Sequence, residues 1–325
     1  MIDLTDARIL ITGGAGFIGS HLTNKLLACG CQVTVLDDFS TGKEYNIAPF
    51  ANNPAFRLIK GDIRDLDCCR KAACQMDYIL HEAARGSVPR SIKDPATTFD
   101  VNATGFSNII TAAQEAGVKK FIYASSSSVY GDNDSVKKQE DHLGNLLSPY
   151  AVSKRCNELV ALNFSRVYGL KTIGLRYFNV FGPGQQPDGP YAAVIPKFTA
   201  ALLNGVSPTI YGNGENSRDF TYVDNVVSAN ILALTNNDPQ ADNQIYNVGC
   251  GNSTSLNELF DILKQILQKH IPETGKVSAE YAPPRKGDIL SSLADIGKIS
   301  KSLGYRADTG IMAGLEKYCL SLLKK

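Results

Sequence analysis

Tyr150 and Lys154 stand four residues apart in Ser148-Pro149-Tyr150-Ala151-Val152-Ser153-Lys154. That spacing puts both on one face of a helix whose first turn accommodates the proline. Such a pair can move a proton. A free tyrosine has a pKa of about 10, so a phenolate at neutral pH needs neighbouring positive charge, and a lysine one helical turn away supplies part of it. A second set of reactive groups follows the apolar run Phe121-Ile122-Tyr123-Ala124, where Ser125, Ser126, Ser127 and Ser128 come in succession before Val129-Tyr130-Gly131. If that run is a parallel strand, its hydroxyls sit at the carboxyl end, where ligands bind in such folds. Tyrosine and lysine also meet at this spacing by chance on helix surfaces, so the elements around them decide.

The element that decides lies at the amino terminus. Directly after Ile9-Leu10-Ile11 comes Thr12-Gly13-Gly14-Ala15-Gly16-Phe17-Ile18-Gly19, and then a helical stretch from Ser20 to Ala28. Glycines 13, 16 and 19 permit a tight turn, close approach of backbone to a pyrophosphate, and tight packing of helix on strand. The helix amino terminus offers N–H donors to the anion. A glycine triplet alone is a weak signal, but at the first strand-to-helix turn it predicts a dinucleotide site. The next strand ends Val35-Leu36-Asp37-Asp38, where an acid accepts hydrogen bonds from ribose hydroxyls and repels a 2′-phosphate. Asp37, at the strand end proper, is the choice over Asp38, and NAD is favoured over NADP. The cationic nicotinamide ring would then add to Lys154 in drawing the proton from Tyr150.

Short β-branched runs alternate with helix-compatible segments through the first half, among them Val33–Leu36, Phe56–Ile59, Tyr78–Leu80 and Thr172–Leu175. Apolar runs separated by helices read as strands covered on both faces. The expected class is α/β, a doubly wound parallel sheet of Rossmann type with a smaller mixed α/β domain. Glycine and proline become dense beyond Arg176, which divides the chain into a nucleotide-binding domain over 1–178 and a substrate domain over 179–325, some segments of which return to the first. One helix there starts at the capping box Ser255-x-x-Glu258 and carries Leu259, Phe260, Leu263 and Leu267 on one face.

Composition bounds the rest. The 325 residues are 43% hydrophobic with a net charge of +1, so a large core is expected and no global field draws the chain to nucleic acid or an anionic membrane. Eight cysteines in a chain this long read as reduced thiols rather than a disulfide framework. The four histidines lie far apart and none pairs with cysteine at zinc-ligand spacing, so no metal is expected. The amino terminus, Met-Ile-Asp-Leu-Thr-Asp, lacks the charge pattern of a signal peptide, and no apolar run reaches about 18 residues. A cytoplasmic protein without a membrane span is expected.

Five motifs in order give the chain a resemblance. The glycine triplet, Ser125–Gly131, Tyr150-x-x-x-Lys154, Arg176-Tyr177-Phe178-Asn179-Val180-Phe181-Gly182-Pro183 and Arg285-Lys286-Gly287-Asp288 resemble extended short-chain dehydrogenase/reductases, specifically UDP-hexose 4-epimerases. His81–Ser91, Tyr191–Lys197 and Ser217–Phe220 resemble the UDP-N-acetylhexosamine 4-epimerases of bacterial surface-polysaccharide synthesis. Arg85 departs from the pattern, since relatives usually carry an apolar residue there.

The resemblance implies Tyr150 as catalytic base, Lys154 as its electrostatic partner and anchor of the nicotinamide ribose, and Ser126 as the hydroxyl bonding the sugar oxygen, with Ser127 in support. It implies NAD contacts at Gly13, Gly16, Phe17, Ile18, Gly19, Asp37, Asp62 and Ile63. Substrate contacts are implied at Ser87, Arg90, Asn179, Val194, Lys197, Tyr211, Arg218, Arg285, Asp288 and Ser292, with the arginines Arg218 and Arg285 meeting the UDP diphosphate as cationic forks. A homodimer is implied as well.

The reaction implied is 4-epimerisation through a 4-keto sugar, with NAD tightly held because the hydride returns to the molecule it left. A 4,6-dehydratase would carry an Asp-Glu pair where Ser127 and Ser128 stand, and a uronic-acid decarboxylase a glutamate at 128. Ser292, four residues after Asp288, is small where epimerases restricted to UDP-glucose and UDP-galactose commonly carry tyrosine. UDP-GlcNAc and UDP-GalNAc are therefore the expected substrates. UDP-glucose and UDP-galactose, a UDP-(N-acetyl)hexuronic acid, or a non-catalytic NAD-binding scaffold are the alternatives.

Overall fold

The computed structural model describes residues 2–185, 193–284 and 290–323. Seven strands form the central sheet: β1 Arg8–Thr12, β2 Gln32–Asp37, β3 Phe56–Lys60, β4 Tyr78–His81, β5 Lys120–Ser126, β6 Thr172–Tyr177 and β7 Gln244–Val248. Their spatial order is β7-β6-β5-β4-β1-β2-β3, and every neighbouring pair is parallel. The fold is the Rossmann-type α/β sheet expected. β7, far along the chain, closes one edge beside β6, with Tyr246 opposite Leu175.

Successive strand residues point to opposite faces, and the two cores follow that alternation. Ile9, Ile11, Val33 and Val35 join Leu22 and Leu26 of the Phe17–Ala28 helix and Val226 and Ala229 of the Val223–Thr235 helix. Leu10, Leu36, Ile79 and Phe121 join Phe106, Ile109 and Ile110 of the Gly105–Glu115 helix and Ala161 of the Pro149–Tyr168 helix on the other face. All but the edge strand β3 are buried along nearly their whole length on both faces, which is why they read as largely apolar runs.

A third core lies beyond the sheet. Ile195, Phe198 and Leu202 pack with Leu259, Phe260, Leu263 and Leu267 and with Leu315 and Tyr318 of the last helix. The helix over Leu256–Gln268 starts as its sequence predicts: Ser255 accepts from the Glu258 N–H while the Glu258 side chain accepts from the Ser255 N–H. Such a reciprocal cap contributes about 1 kcal/mol.

The chain runs from β1 outward to β2 and β3 on one side, then crosses back from β3 to β4 on the other side of β1. The crevice beyond the carboxyl ends of these strands is the switch point at which such sheets bind ligands. Among the described residues no helix is long and apolar enough to cross a membrane, and no cluster of metal-ligating side chains occurs.

Candidate active site

A cavity of about 470 Å³ opens at that switch point. Its floor is the glycine turn, which tolerates no side chain where the pyrophosphate-binding reading needs bare backbone. A Cβ on Gly13, whose φ is +71°, would stand 2.6 Å from the Ala83 nitrogen, and one on Gly19 would stand 2.2 Å from the Gly13 carbonyl oxygen. Gly16 caps the following helix without a side chain, and no acid occupies the first turn, so the positive helix end is left for an anion. Asp37 ends β2 with Oδ2 accepting from the Ala15 N–H at 2.9 Å and Oδ1 from the Phe39 N–H at 2.8 Å. Burial raises its pKa against those two bonds. Each oxygen keeps a lone pair, the acceptor capacity that a ribose diol needs. Phe17, Ile18, Asp62 and Ile63 line the same cavity. The residues present fit a bound dinucleotide.

The chemical groups stand at the other end of this cavity, which Ser126, Tyr150 and Lys154 line together. Lys154 is buried and donates to the Ala124 carbonyl at 2.9 Å, which fixes it to the end of β5; burial lowers its pKa to about 8. Ser126 ends β5 and caps the turn that follows, its Oγ accepting from the Ser128 N–H at 3.1 Å. Burial raises the Tyr150 pKa, a hydrogen bond with Ser126 opposes the rise, and the charge of Glu82 adds to it. The protein alone therefore keeps Tyr150 protonated, and a bound cation is what would make it a base.

The helix bearing Tyr150 is seated by two devices. Ser148 accepts from the Ala151 N–H at 3.1 Å as its cap, and Ser91, which donates to the Val88 carbonyl, accepts from the Tyr150 N–H at 3.1 Å. Deeper, Glu158 of the same helix receives Arg176 at 2.8 and 3.0 Å and the Ser125 hydroxyl at 2.6 Å. This network clamps the end of β5 next to Ser126.

A second cavity, about 530 Å³, adjoins the first, Val180 lining both. Asn179, Val194, Lys197, Tyr211 and Arg218 line it together. Asn179 has φ of +28° and its amide donates to the Asp219 carbonyl at 3.2 Å. Ser292 lines neither cavity; it lies on a short strand, Ser291–Ala294, in parallel register with Arg218.

Several expected residues fall elsewhere. Ser127 opens the turn after β5 and lines neither cavity. Ser87, at φ of +91°, caps the Val88–Lys93 helix that carries Arg90, and neither lines either of these two cavities; this helix buttresses Tyr150 through Ser91. Arg85 lines the first cavity and pairs with Asp94 at 2.9 Å. Arg285, Asp288 and the Tyr191-Ala192 portion of its motif lie outside the described residues.

The profile of the NAD dependent epimerase/dehydratase family matches residues 9–249. The chain belongs to that family. A UDP-glucose 4-epimerase of Mycolicibacterium smegmatis is 37% identical over 316 residues, covering 95% of this chain and 96% of the other. A UDP-N-acetylglucosamine 4-epimerase of Methanobrevibacter ruminantium, solved with UDP-N-acetylmuramic acid, superposes with a TM-score of 0.91 at 38% identity, covering 98% of this chain and 99% of that one. The UDP-glucose 4-epimerase of Thermotoga maritima, solved with UDP-glucose, gives 0.89 at 37% identity with the same coverage. This chain is an NAD-dependent enzyme of the extended short-chain dehydrogenase/reductase type.

For an epimerase/dehydratase site, the sequence reading lacked three groups. Glu82 and Tyr177 line the cofactor cavity, and Glu158 holds the strand end. Glu158 stood in view as the next step in the series 150, 154, 158 on one helical face. Glu82 is an acid placed directly after a buried strand at the switch point, a position where charge has no packing reason to be.

Proposed function

We propose that this NAD-dependent UDP-sugar 4-epimerase interconverts UDP-GlcNAc and UDP-GalNAc. The observation that carries the reading is the pairing of Ser292 with Arg218. Residues in parallel register share one face of their sheet, so the small Ser292 side chain is on the face of Arg218, which lines the second cavity. Set beside Arg218 at the cavity edge, a side chain as small as hydroxymethyl would leave room for a 2-acetamido group. Ser217 and Ser291 meet through their hydroxyls at 3.2 Å, which supports the register.

Tyr150, made basic by positive charge at the inner end of the first cavity, takes the proton of the sugar 4-hydroxyl. NAD, held over the glycine turn and Asp37, would supply the acceptor and then the donor for the hydride on the same carbon. Ser126, with its acceptor side engaged by the Ser128 N–H, turns its own proton to the sugar oxygen and orients it. Arg218 supplies a guanidinium to the diphosphate about which the 4-keto sugar turns. Tyr150 then returns the proton.

The test is Ser292→Tyr, measured as the ratio of specificity constants for acetylated and plain UDP-hexoses, with products read by NMR. Overpacking a formed site costs about 1–3 kcal/mol, so the ratio should fall roughly five- to hundredfold against the acetylated sugars. An unchanged ratio with both activities intact would refute the reading.

A further inference from the structure

Glu82 follows β4 at the switch point and is part of the cofactor cavity wall that also holds Tyr150 and Lys154. It is held from behind by a relay. The Tyr177 hydroxyl donates to Glu82 Oε1 at 2.8 Å and in turn accepts from the Asn230 amide at 2.8 Å. Asn230 is wholly buried and donates also to the Val226 carbonyl at 2.9 Å, so the chain of donors ends in a rigid helix. Burial raises the Glu82 pKa to about 7, opposed by the Tyr177 bond and the Lys154 charge. The residue keeps partial exposure, and as it lines the cavity, the space it faces is where the cofactor would lie rather than bulk water.

A buried carboxylate beside a binding space is costly unless a cation answers it. Lys154 answers only in part: its charge acts on Glu82 from beyond ion-pair distance, while one of its N–H donors is held by the Ala124 carbonyl. The end of the cavity shared with Tyr150 and Lys154 is the end that must receive the nicotinamide, since the tyrosine works on the carbon that exchanges hydride. We propose that Glu82, positioned by Tyr177, is the counter-charge of the oxidised nicotinamide and poises the bound cofactor toward NAD⁺.

The consequence is thermodynamic. The oxidised ring is cationic and the reduced ring neutral, so a fixed carboxylate stabilises one redox state and leaves itself unpaired in the other. Such a bias suits an enzyme whose hydride must go back to the keto sugar. It also opposes the proton removal from Tyr150, which Lys154 and the cationic ring must therefore carry between them. Glu82 is a positioning residue in this scheme, acting through charge without taking a proton from substrate.

The experiment equilibrates holoenzyme with mixtures of NAD⁺ and NADH at pH 8, isolates the protein, and reads the retained ratio from absorbance at 340 nm and total released nucleotide. Glu82→Gln keeps shape and removes charge, and the retained ratio should move about tenfold toward NADH. For a two-electron couple that is a potential shift of about 30 mV. Glu82→Asp should hold the wild-type ratio more closely than Glu82→Gln. A residue that merely supports the fold would weaken both forms alike, so an unchanged ratio in Glu82→Gln, or a move toward NAD⁺, overturns the proposal. If Glu82→Gln does not fold, Tyr177→Phe is read in the same way. Losing the donor that holds the carboxylate ionised should move the ratio toward NADH, and an unchanged ratio there overturns the proposal equally.

Discussion

Replacing Arg176 with methionine tests whether the buried ion pair behind β5 holds the catalytic strand end. The two side chains are 1% and 0% exposed. Arg176 donates to both Glu158 oxygens at 2.8 and 3.0 Å, to the Tyr130 hydroxyl at 3.0 Å and to the Glu140 carbonyl at 2.8 Å. In Arg176→Met the Glu158 carboxylate keeps only the Ser125 hydroxyl and Arg155, at 2.6 and 2.8 Å, and Arg155 is itself 30% exposed. Removing one partner of a buried pair costs about 3–5 kcal/mol, a large fraction of the roughly 5–15 kcal/mol that holds a domain together. The sign of the pH dependence follows from Glu158. Burial alone would raise its pKa, but the bonds and charge of Arg176 outweigh that and hold it below the usual value. In the wild type, the stability it contributes is present above its unfolded pKa and is lost as pH falls through the folded one. In the variant, burial wins and the pKa rises, so the penalty is greatest at neutral pH and eases as acid protonates the carboxylate. Denaturant unfolding at fixed NAD concentration, at pH 8 and pH 5, should show the gap from wild type narrowing in acid. Adding Glu158→Leu should recover much of the loss. A gap below about 1 kcal/mol, the usual effect of a surface pair, or one that widens in acid, would refute the reasoning.

Two other substitutions test the two ends of the cofactor cavity. Tyr150→Phe should lower turnover by roughly 10²–10⁴ while leaving UDP-sugar affinity by calorimetry nearly intact, because a positioned acid–base group contributes about that much to rate; wild-type turnover would remove Tyr150 from its role. Asp37→Ala should weaken NAD binding and relax discrimination against NADP, since it deletes both the ribose acceptor and the anchor of the Ala15 N–H; unchanged cofactor selectivity in binding assays would move the role to Asp38.

The parts of this site legible in the sequence are those where one residue type answers a local demand. Gly19 is readable because its Cβ would stand 2.2 Å from the Gly13 carbonyl oxygen, a clash set by the turn itself. Tyr150 and Lys154 are readable because helical geometry fixes their separation whatever surrounds them. The sheet type is legible too, since continuous apolar runs demand cover on both faces and thus a parallel sheet. What escaped depends on segments meeting from far apart. Arg176 joins Glu158 across 18 residues and Ser217 joins Ser291 across 74, and neither pairing leaves a periodic trace.

Ser87 and Arg90 show the opposite limit, lining neither of the two cavities. Their motif is recognisable, yet a motif does not state which way a loop faces, and here it turns its Ser91 hydroxyl to the backbone of Tyr150. Glu82 lies between these cases. Its position after β4 was visible, but its meaning required Tyr177 and Asn230, 95 and 148 residues further on, to be found standing behind it. A charge at the carboxyl edge of a buried strand is affordable only where the fold brings donors to one side and a cation to the other. The donors are supplied by β6 and the Val223–Thr235 helix. The cation is left to the cofactor, which is why the charge belongs to the chemistry of the site rather than to the stability of the sheet.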